Sequence, residues 1–519
     1  MGLIATSTAT TKSNGHGEGR IKSYAPATGD VLGDVPIMTA EEVRAAVARA
    51  KRAQESWASL PIEERCDRVR RYAQALIERQ DEVADLLSRE TGKPMMEALL
   101  HEVAPSAAVA EYFCKRGPEI LAPREVPLGL MKHRRAFLHY MPRGVVGVIT
   151  PWNYPLYMPL RDIGMAFIAG NAVVLKPSEV TPLIALKAKE VWDQAGLPAD
   201  LFQVVTGGGA TGAALIDAGI QMCIFTGGVA TGRRVAAACG ERLIPCVMEL
   251  GGKAPLIVCA DADVERAARA AVFGGFSNGG QVCISVERVY AHRDVADQLT
   301  QRMTELTRDL KVGDPQSGAV DVGAIIFPKQ IDIAEAHIQD AVSKGAKVLA
   351  GGKRIPGQGQ FFEPTLLGDC THDMTVMNEE IFGPVVPVMR VDSDEEALRY
   401  ANQVNLGLNA YVFSKDRDYA HRLAERVQAG SVLVNDVLIN GGMPEAPFGG
   451  VKDSGFGRVL GEDSLKELCQ VKHINVDRFA TSNDPLWFPY TDKGLALARK
   501  ATKLVFGGGG LLKKLSQLF

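Results

Sequence analysis

Two periodicities divide the chain. Over residues 41–115 apolar positions recur at helical spacing; in "EEVRAAVARAKRAQESW", Val43, Val47 and Ala50 line one face. Pro61 is placed to begin a second helix. From Val145 the pattern changes to short apolar runs: "VVGVIT" (145–150), "AVVLK" (172–176), "FQVVT" (202–206), "MCIFT" (222–226) and "PCVMEL" (245–250). Each is rich in β-branched or aromatic residues and bounded by Gly or Pro. Helical stretches separate them, such as "PLIALKAKEVWDQAG" (182–196), closed by a C-capping glycine. Strands alternating with helices predict βαβ units and a buried parallel sheet. A second series begins at "APLIVC" (254–259), with Asp261 and Asp263 placed to cap the helix that follows. "VERVYA", a helix near 295–310 and "AKVLA" (346–350) continue the alternation. The break at "LGGK" (250–253) is the expected boundary between two α/β domains, and no internal repeat interrupts them.

Composition narrows the class. At 519 residues the chain exceeds one hydrophobic core, so several domains are expected. A net charge of −3 offers no field for nucleic acid. The nine cysteines include no C-x-x-C pair, which argues against a zinc ribbon or a disulfide framework and for a reducing, cytoplasmic setting. No apolar run has the length of a membrane span, and the N-terminus lacks the order of a signal peptide. Residues 1–20 are small and polar and read as a disordered arm; Gly2 and Thr6 match a short myristoylation pattern.

Candidate chemistry lies at the strand ends, where parallel sheets bind ligands. "TGGVATGRR" (226–234) leaves a strand and opens a helix. Gly227 and Gly232 would let the backbone approach a diphosphate there, although a plain tight turn reads the same. No full G-x-G-x-x-G follows any strand, and Arg233-Arg234 excludes a P-loop. In "VVLKPSEVTP" (173–182), Lys176 and Glu179 stand where ribose hydroxyls could be held, or where a solvated loop would carry charge. In "TPWNYPL" (150–156), Asn153 offers amide donors to an oxyanion, or satisfies its own turn. Glu249 of "VMELGGKAP" (247–255) has apolar neighbours, which would raise its pKa toward that of a general base if it is buried.

"FSNGGQVCIS" (276–285) centres on Cys283. A lone cysteine is usually a small buried hydrophobe. Here Gly279 and Gly280 permit unusual backbone angles just before it. The same stretch contains G-x-S-x-G from Gly275 to Gly279, but a nucleophile elbow needs a strand before the serine. An alanine-rich helical pattern precedes Ser277, which argues against a serine hydrolase.

Together these segments resemble the NAD(P)-dependent aldehyde dehydrogenase superfamily from about Lys22 to Val476. The matching motifs are "PWNYPL", "GNAVVLKPSE", "FTGGVATG", "MELGGKAP", "GGQVC", "EEIFGPV" (379–385) and "PFGGVKDSGFGR" (447–458), in order and at matching spacing. The resemblance implies a Rossmann-like cofactor domain (21–126 and 142–250), an α/β catalytic domain (251–465) and a small β oligomerisation element (127–141 and 466–480). It implies Cys283 as nucleophile, Glu249 as general base and Asn153 as oxyanion donor. Lys176 and Glu179 would hold the adenosine ribose, and Gly227, Gly228 and Gly232 would meet the diphosphate. Glu380 and Phe382 would hold the nicotinamide ribose and ring, with Thr150, Pro151, Trp152, Ser178 and Leu250 completing the cofactor side.

The implied reaction oxidises an aldehyde to an acid through a cysteine thiohemiacetal and thioester, without a metal. NAD is expected over NADP because of Glu179, and homodimers or homotetramers are expected. A CoA-acylating enzyme and an inactive binding member of the fold remain alternatives. Trp152, Tyr154 and Met158 are expected to line an apolar substrate mouth; Arg161, if it faced that mouth, would favour an acidic substrate. Two departures stand out: Gly228 where many members have serine, and Val459 where many have glutamate. Residues 487–519 form a basic, amphipathic extension that reads as a peripheral membrane contact, with Leu511, Leu512, Leu515 and Leu518 at helical spacing.

Overall fold

A computed structural model describes residues 19–129, 131–482, 484 and 487–507. The arm 1–18, with its Gly2/Thr6 pattern, and the leucines from 511 onward lie outside the described residues. Arg20, assigned to the arm from the sequence, instead opens a strand (Arg20–Tyr24) paired antiparallel with Val31–Pro36 and ion-paired to Asp34 at 2.8 Å.

The N-terminal helical region resolves into Ala40–Ala58, Ile62–Glu78, Gln80–Thr91 and Ala104–Ile120. Thr39 and Glu42 form a reciprocal capping box on the first. The apolar runs then become strands β1 (Val145–Ile149), β2 (Ala172–Lys176), β3 (Phe202–Val204), β4 (Met222–Thr226) and β5 (Cys246–Glu249). β1, β2 and β4 are buried along their whole length, as continuous apolar runs in a covered parallel sheet must be. Their order is β5-β4-β1-β2-β3, all parallel, with Gly455–Phe456 added antiparallel beside β5. The chain winds outward from β1 in both directions. The switch point lies between β1 and β4, where a doubly wound sheet opens a crevice beyond its carboxyl edge.

A second sheet follows: β6 (Ala254–Val258), β7 (Val286–His292), β8 (Lys347–Ala350), β9 (Thr365–Gly368), β10 (Val385–Val391), β11 (Asn409–Phe413) and β12 (Ser431–Val434). The order is β8-β9-β10-β7-β6-β11-β12. Only β8, the "AKVLA" run, is antiparallel. Separate apolar clusters cover its faces, one around Ile257, Tyr290 and Val412, the other around Leu256, Val289 and Phe413. Asp263, not Asp261, caps helix Val264–Phe276; Asp261 accepts instead from the Asp416 N–H and the Ser414 hydroxyl.

Both sheets fall in one compact unit, 1–120 with 142–469. The other unit, 121–141 with 470–519, holds most of a three-stranded sheet of Arg124–Val126, Arg134–Pro142 and Cys469–Asp477. Cys469–Asp477 is an edge strand exposed along nearly its whole length. Beyond it, helix Asp492–Phe506 has no buried residue. No described helix is long and apolar enough to cross a membrane.

Candidate active site

Glu249 closes β5 at the carboxyl edge of the first sheet. Cys283 precedes β7 at the amino edge of the second. The short segment Leu250–Lys253 joins the two sheets, so the chain itself brings these edges together. Cys283 and Glu249 line one cavity of about 220 Å³.

The approach to Cys283 is a left-handed turn. Asn278, Gly279 and Gly280 have φ of 50°, 63° and 73°. A Cβ on Gly280 would stand 2.2 Å from the Gly383 carbonyl oxygen, so no side chain fits there. The Ser277 hydroxyl donates to Glu97 at 2.9 Å, directly after helix Val264–Phe276. The elbow reading of this serine therefore fails in the structure for the reason its sequence context suggested. The Cys283 thiol is pushed up to about 12 by burial and by the nearby Glu249 and Glu380 carboxylates. At rest the sulfur is protonated.

Glu249 is buried, and neither carboxylate oxygen has a hydrogen-bond partner. Burial pushes it up to about 8, opposed by the charges of Arg161 and Arg458 and reinforced by Asp162 and Glu467. A carboxyl group held in this way exchanges protons near neutral pH.

Asn153 follows β1. Its Nδ2 donates to the Gln281 carbonyl at 2.9 Å, and its Oδ1 is buried without a partner. Its own carbonyl accepts from Lys93 Nζ at 2.9 Å and Asn278 Nδ2 at 3.0 Å. Lys93 is ion-paired with Glu102, a fully buried couple. Glu102 also accepts from the Leu156 and Tyr157 N–H groups at 2.8 and 3.1 Å. Lys93, Glu97 and Glu102 thus pin the Asn153 loop and the Cys283 turn to the N-terminal helices, and none was singled out from the sequence.

The remaining predicted residues gather at the strand ends of the first sheet. Lys176 ends β2 and pairs with Glu179 at 3.0 Å; the lysine is buried and the carboxylate half exposed. The Ser178 hydroxyl accepts from the Val180 N–H at 3.2 Å. The Thr150 and Thr226 hydroxyls, after β1 and at the end of β4, are buried with no partner. The Gly227 N–H donates to the Glu249 carbonyl at 3.0 Å. Gly228 is the N-cap of helix Val229–Glu241 and supplies no side chain to its first turn. A Cβ on Gly232 would come within 2.4 Å of Leu250.

Glu380 accepts from the Gly252 N–H at 2.9 Å and is pushed up to about 8 by burial. Glu287, paired with Lys253 at 2.9 Å, accepts from the Phe382 N–H at 2.8 Å. That contact helps hold Phe382 at a left-handed φ of 54°. Trp152 packs edge-on against Phe382 at 5.3 Å and tilted on Phe327 at 6.0 Å. It does not line the cavity with Cys283, contrary to the expected apolar mouth; two aromatic rings already hold the indole on the other side. Tyr154, Met158 and Arg161 do line it.

Comparison with known proteins agrees with this arrangement. The profile of the aldehyde dehydrogenase family matches residues 12–474. A Mycobacterium ulcerans protein named "Putative succinate-semialdehyde dehydrogenase, NADP(+), 2" is 40% identical over 466 residues, covering 89% of this chain and 90% of that protein. The 4,4'-diapolycopene aldehyde oxidase of a Methylomonas species is 38% identical, covering 95% and 93%. The NAD+ complex of an aldehyde dehydrogenase from Bacillus cereus superposes with a TM-score of 0.85 at 34% identity, over 88% of this chain and 93% of that one. The chain belongs to the aldehyde dehydrogenase family, nicotinamide-dependent oxidoreductases acting on aldehydes.

Proposed function

We propose that this protein oxidises an aldehyde to a carboxylic acid on Cys283, with Glu249 as the proton acceptor and NAD as the preferred cofactor. The observation that carries the reading is a buried, unpartnered carboxylate sharing one cavity with the only cysteine that lines it. Glu249 takes the thiol proton as Cys283 Sγ bonds to the carbonyl carbon, and negative charge develops on the carbonyl oxygen. One Asn153 amide hydrogen is committed to Gln281; the other, with the Cys283 N–H, is available to that oxygen. When bound, the nicotinamide supplies the acceptor for the hydride of the tetrahedral carbon. The chain is left with a thioester on Cys283. Glu249 passes the first proton to solvent and then takes one from water, whose oxygen attacks the acyl carbon; the C–S bond breaks, and Glu249 returns that proton to the sulfur as the acid departs.

The first sheet suits the dinucleotide. Two buried hydroxyls, Thr150 and Thr226, lack partners at adjacent strand ends, and Gly227-Gly228 leaves the first turn of a helix uncapped by any side chain. We read the first sheet as the cofactor half and the second as the catalytic half. Gly228 leaves diphosphate contact to backbone N–H groups. The Glu179 carboxylate repels a 2′-phosphate, and the Lys176 charge is already engaged by it, which favours NAD. The likenesses divide on this point, since one relative's name carries NADP(+) and one structure holds NAD+.

Two wider readings follow. The exposed edge Cys469–Asp477, with Val471 and Val476 outward, fits pairing with a second copy in a homodimer or homotetramer. In helix Asp492–Phe506, Lys493, Arg499, Lys500 and Lys503 fall within a sector of about 120°, while Leu495, Leu497, Leu504 and Phe506 occupy the rest. All four apolar side chains are exposed, as are Trp487, Phe488 and Tyr490 just before them. This pattern suits an anionic membrane surface on a cytoplasmic protein. The full chain should sediment with anionic vesicles at low salt, and a chain ending at Thr491 should not; equal sedimentation would remove the membrane from the account.

The reaction itself is tested by NADH absorbance over a panel of aldehydes, with and without CoA. Cys283→Ala should lose at least about a thousandfold in kcat/KM on every aldehyde. CoA should leave the product an acid. More than a few per cent of wild-type activity in Cys283→Ala would refute the nucleophile, and an acyl-CoA product would refute hydrolysis.

A further inference from the structure

Resting on that reading, we infer that the aldehyde delivered to Cys283 is uncharged and carries an apolar chain of several carbons, and that ω-carboxylate aldehydes are excluded. The cavity is walled by side chains such as Met158, Ile284, Val437 and Phe448. Its lining continues outward into Leu100, Phe273 and Ile439, which are respectively 59%, 50% and 57% exposed. Three large apolar side chains left in solvent around one opening make a greasy mouth, of the kind that marks a binding surface.

A substrate carboxylate would need a cation whose charge is not already balanced, and the basic groups of the lining are Arg161 and His101. Arg161 lines the cavity but is buried, and its Nε donates to Asp162 at 3.0 Å. Its charge also acts on Glu249. The guanidinium thus faces two carboxyl groups from within its own surroundings, and its remaining neighbours are the rings of Tyr157 and Phe448 at 5.8 and 6.0 Å. A substrate carboxylate on its terminal nitrogens would be a third negative group around one buried guanidinium, beside Asp162 and Glu249. His101 is the other basic group in the lining. Burial, aided by Lys93, holds it down to about 4, so it is neutral at pH 7, and it lies edge-on to Phe273 at 6.2 Å. Lys93 itself, over the Tyr154 ring at 4.3 Å, is consumed by Glu102. The Tyr157 hydroxyl donates to the Gly441 carbonyl at 2.6 Å. The fully buried unpartnered atoms of the lining belong to the Thr226 hydroxyl and the Glu249 carboxyl group, and an ionised Glu249 repels a second carboxylate.

The test compares kcat/KM for straight-chain aldehydes from propanal to decanal with ω-carboxylate aldehydes of equal length. Calorimetry of octan-1-ol and octanedioate on the full chain accompanies it. The value should rise roughly fourfold per methylene until the cavity is filled. Octanal should exceed 8-oxooctanoate by at least about a hundredfold. Octan-1-ol should bind, and octanedioate should not. Ile439→Arg, a change at an exposed position, should lower kcat/KM for octanal about tenfold and narrow the gap to 8-oxooctanoate. Parity of 4-oxobutanoate or 8-oxooctanoate with their uncharged counterparts would overturn the apolar assignment while leaving the reaction intact. Octan-1-ol binding without oxidation of any aldehyde would support the cavity assignment and overturn the reaction.

Discussion

On one side of Cys283, buried hydroxyls of Thr150 and Thr226 stand without partners, a glycine turn leaves a helix start uncapped, and Glu179 meets Lys176 at the surface. On the other side the walls are mainly aliphatic or aromatic, and the Arg161 Nε and the Tyr157 hydroxyl are engaged by Asp162 and Gly441. Buried polar atoms without partners are rare in folded proteins. On the reading proposed above, the Thr150 and Thr226 hydroxyls at the strand ends of the first sheet are completed by a bound polar molecule. On the same reading, the apolar side holds a molecule by burial and shape. Glu249 lies at the border, with its strand neighbour Thr226: both are unsatisfied like the first side and line the cavity of the second. The difference teaches where specificity for each ligand resides.

The comparison is broken most severely by removing the border residue. Glu249→Gln keeps the shape and abolishes proton acceptance, so steady-state turnover should fall about a hundred- to a thousandfold. Because Glu249 works only when ionised, wild-type kcat/KM should fall with acidification below about 8, approaching tenfold per pH unit, and level off above it. The variant should lose that limb. A pH–rate profile checks both, and an unchanged acidic limb in Glu249→Gln would assign it to another group.

The second break is at the turn. Gly280→Ala forces a side chain into a left-handed backbone and against the Gly383 carbonyl. It should destabilise the fold by about 2–4 kcal/mol and displace Cys283. Thermal unfolding and the rate of Cys283 alkylation read the two effects. The smallest change is on the cofactor side. Glu179→Gln should lower the NAD-to-NADP ratio of kcat/KM roughly five- to tenfold, with little effect on discrimination between aldehydes. A shift in aldehyde preference instead would show that the two sides are not separable.

Much of the fold was legible because its strands are short, apolar and punctuated by Gly and Pro, a pattern that burial in a parallel sheet imposes directly. The unusual turn before Cys283 and the burial of Glu249 were legible because flanking glycines and apolar neighbours constrain them locally. Lys93, Glu97, Glu102 and Glu287 were not. Each is a charge in a segment that also reads as a solvated face, and each is buried only because of partners far away in the chain: Glu102 meets Leu156, and Glu97 meets Ser277. Trp152 was expected at the substrate mouth as well as on the cofactor side because its turn has no periodicity to orient it; the rings of Phe327 and Phe382, 175 and 230 residues later, hold it away from the mouth. Whether Arg161 faced the cavity was open in the sequence; it does, but its engagement with the adjacent Asp162 depends on side-chain geometry that spacing does not carry.

The central claim is that Cys283 bears the acyl group between the two sides and that Glu249 releases it. Glu249→Gln incubated with NAD and octanal, quenched in acid and mapped by peptide mass spectrometry, tests both at once. The account predicts one octanoyl group per chain, on the peptide containing Cys283, formed slowly because the variant also lacks the thiol's proton acceptor, and persisting in the variant long after the wild type has released its own. Absence of the adduct, or an adduct on any other residue, would contradict it.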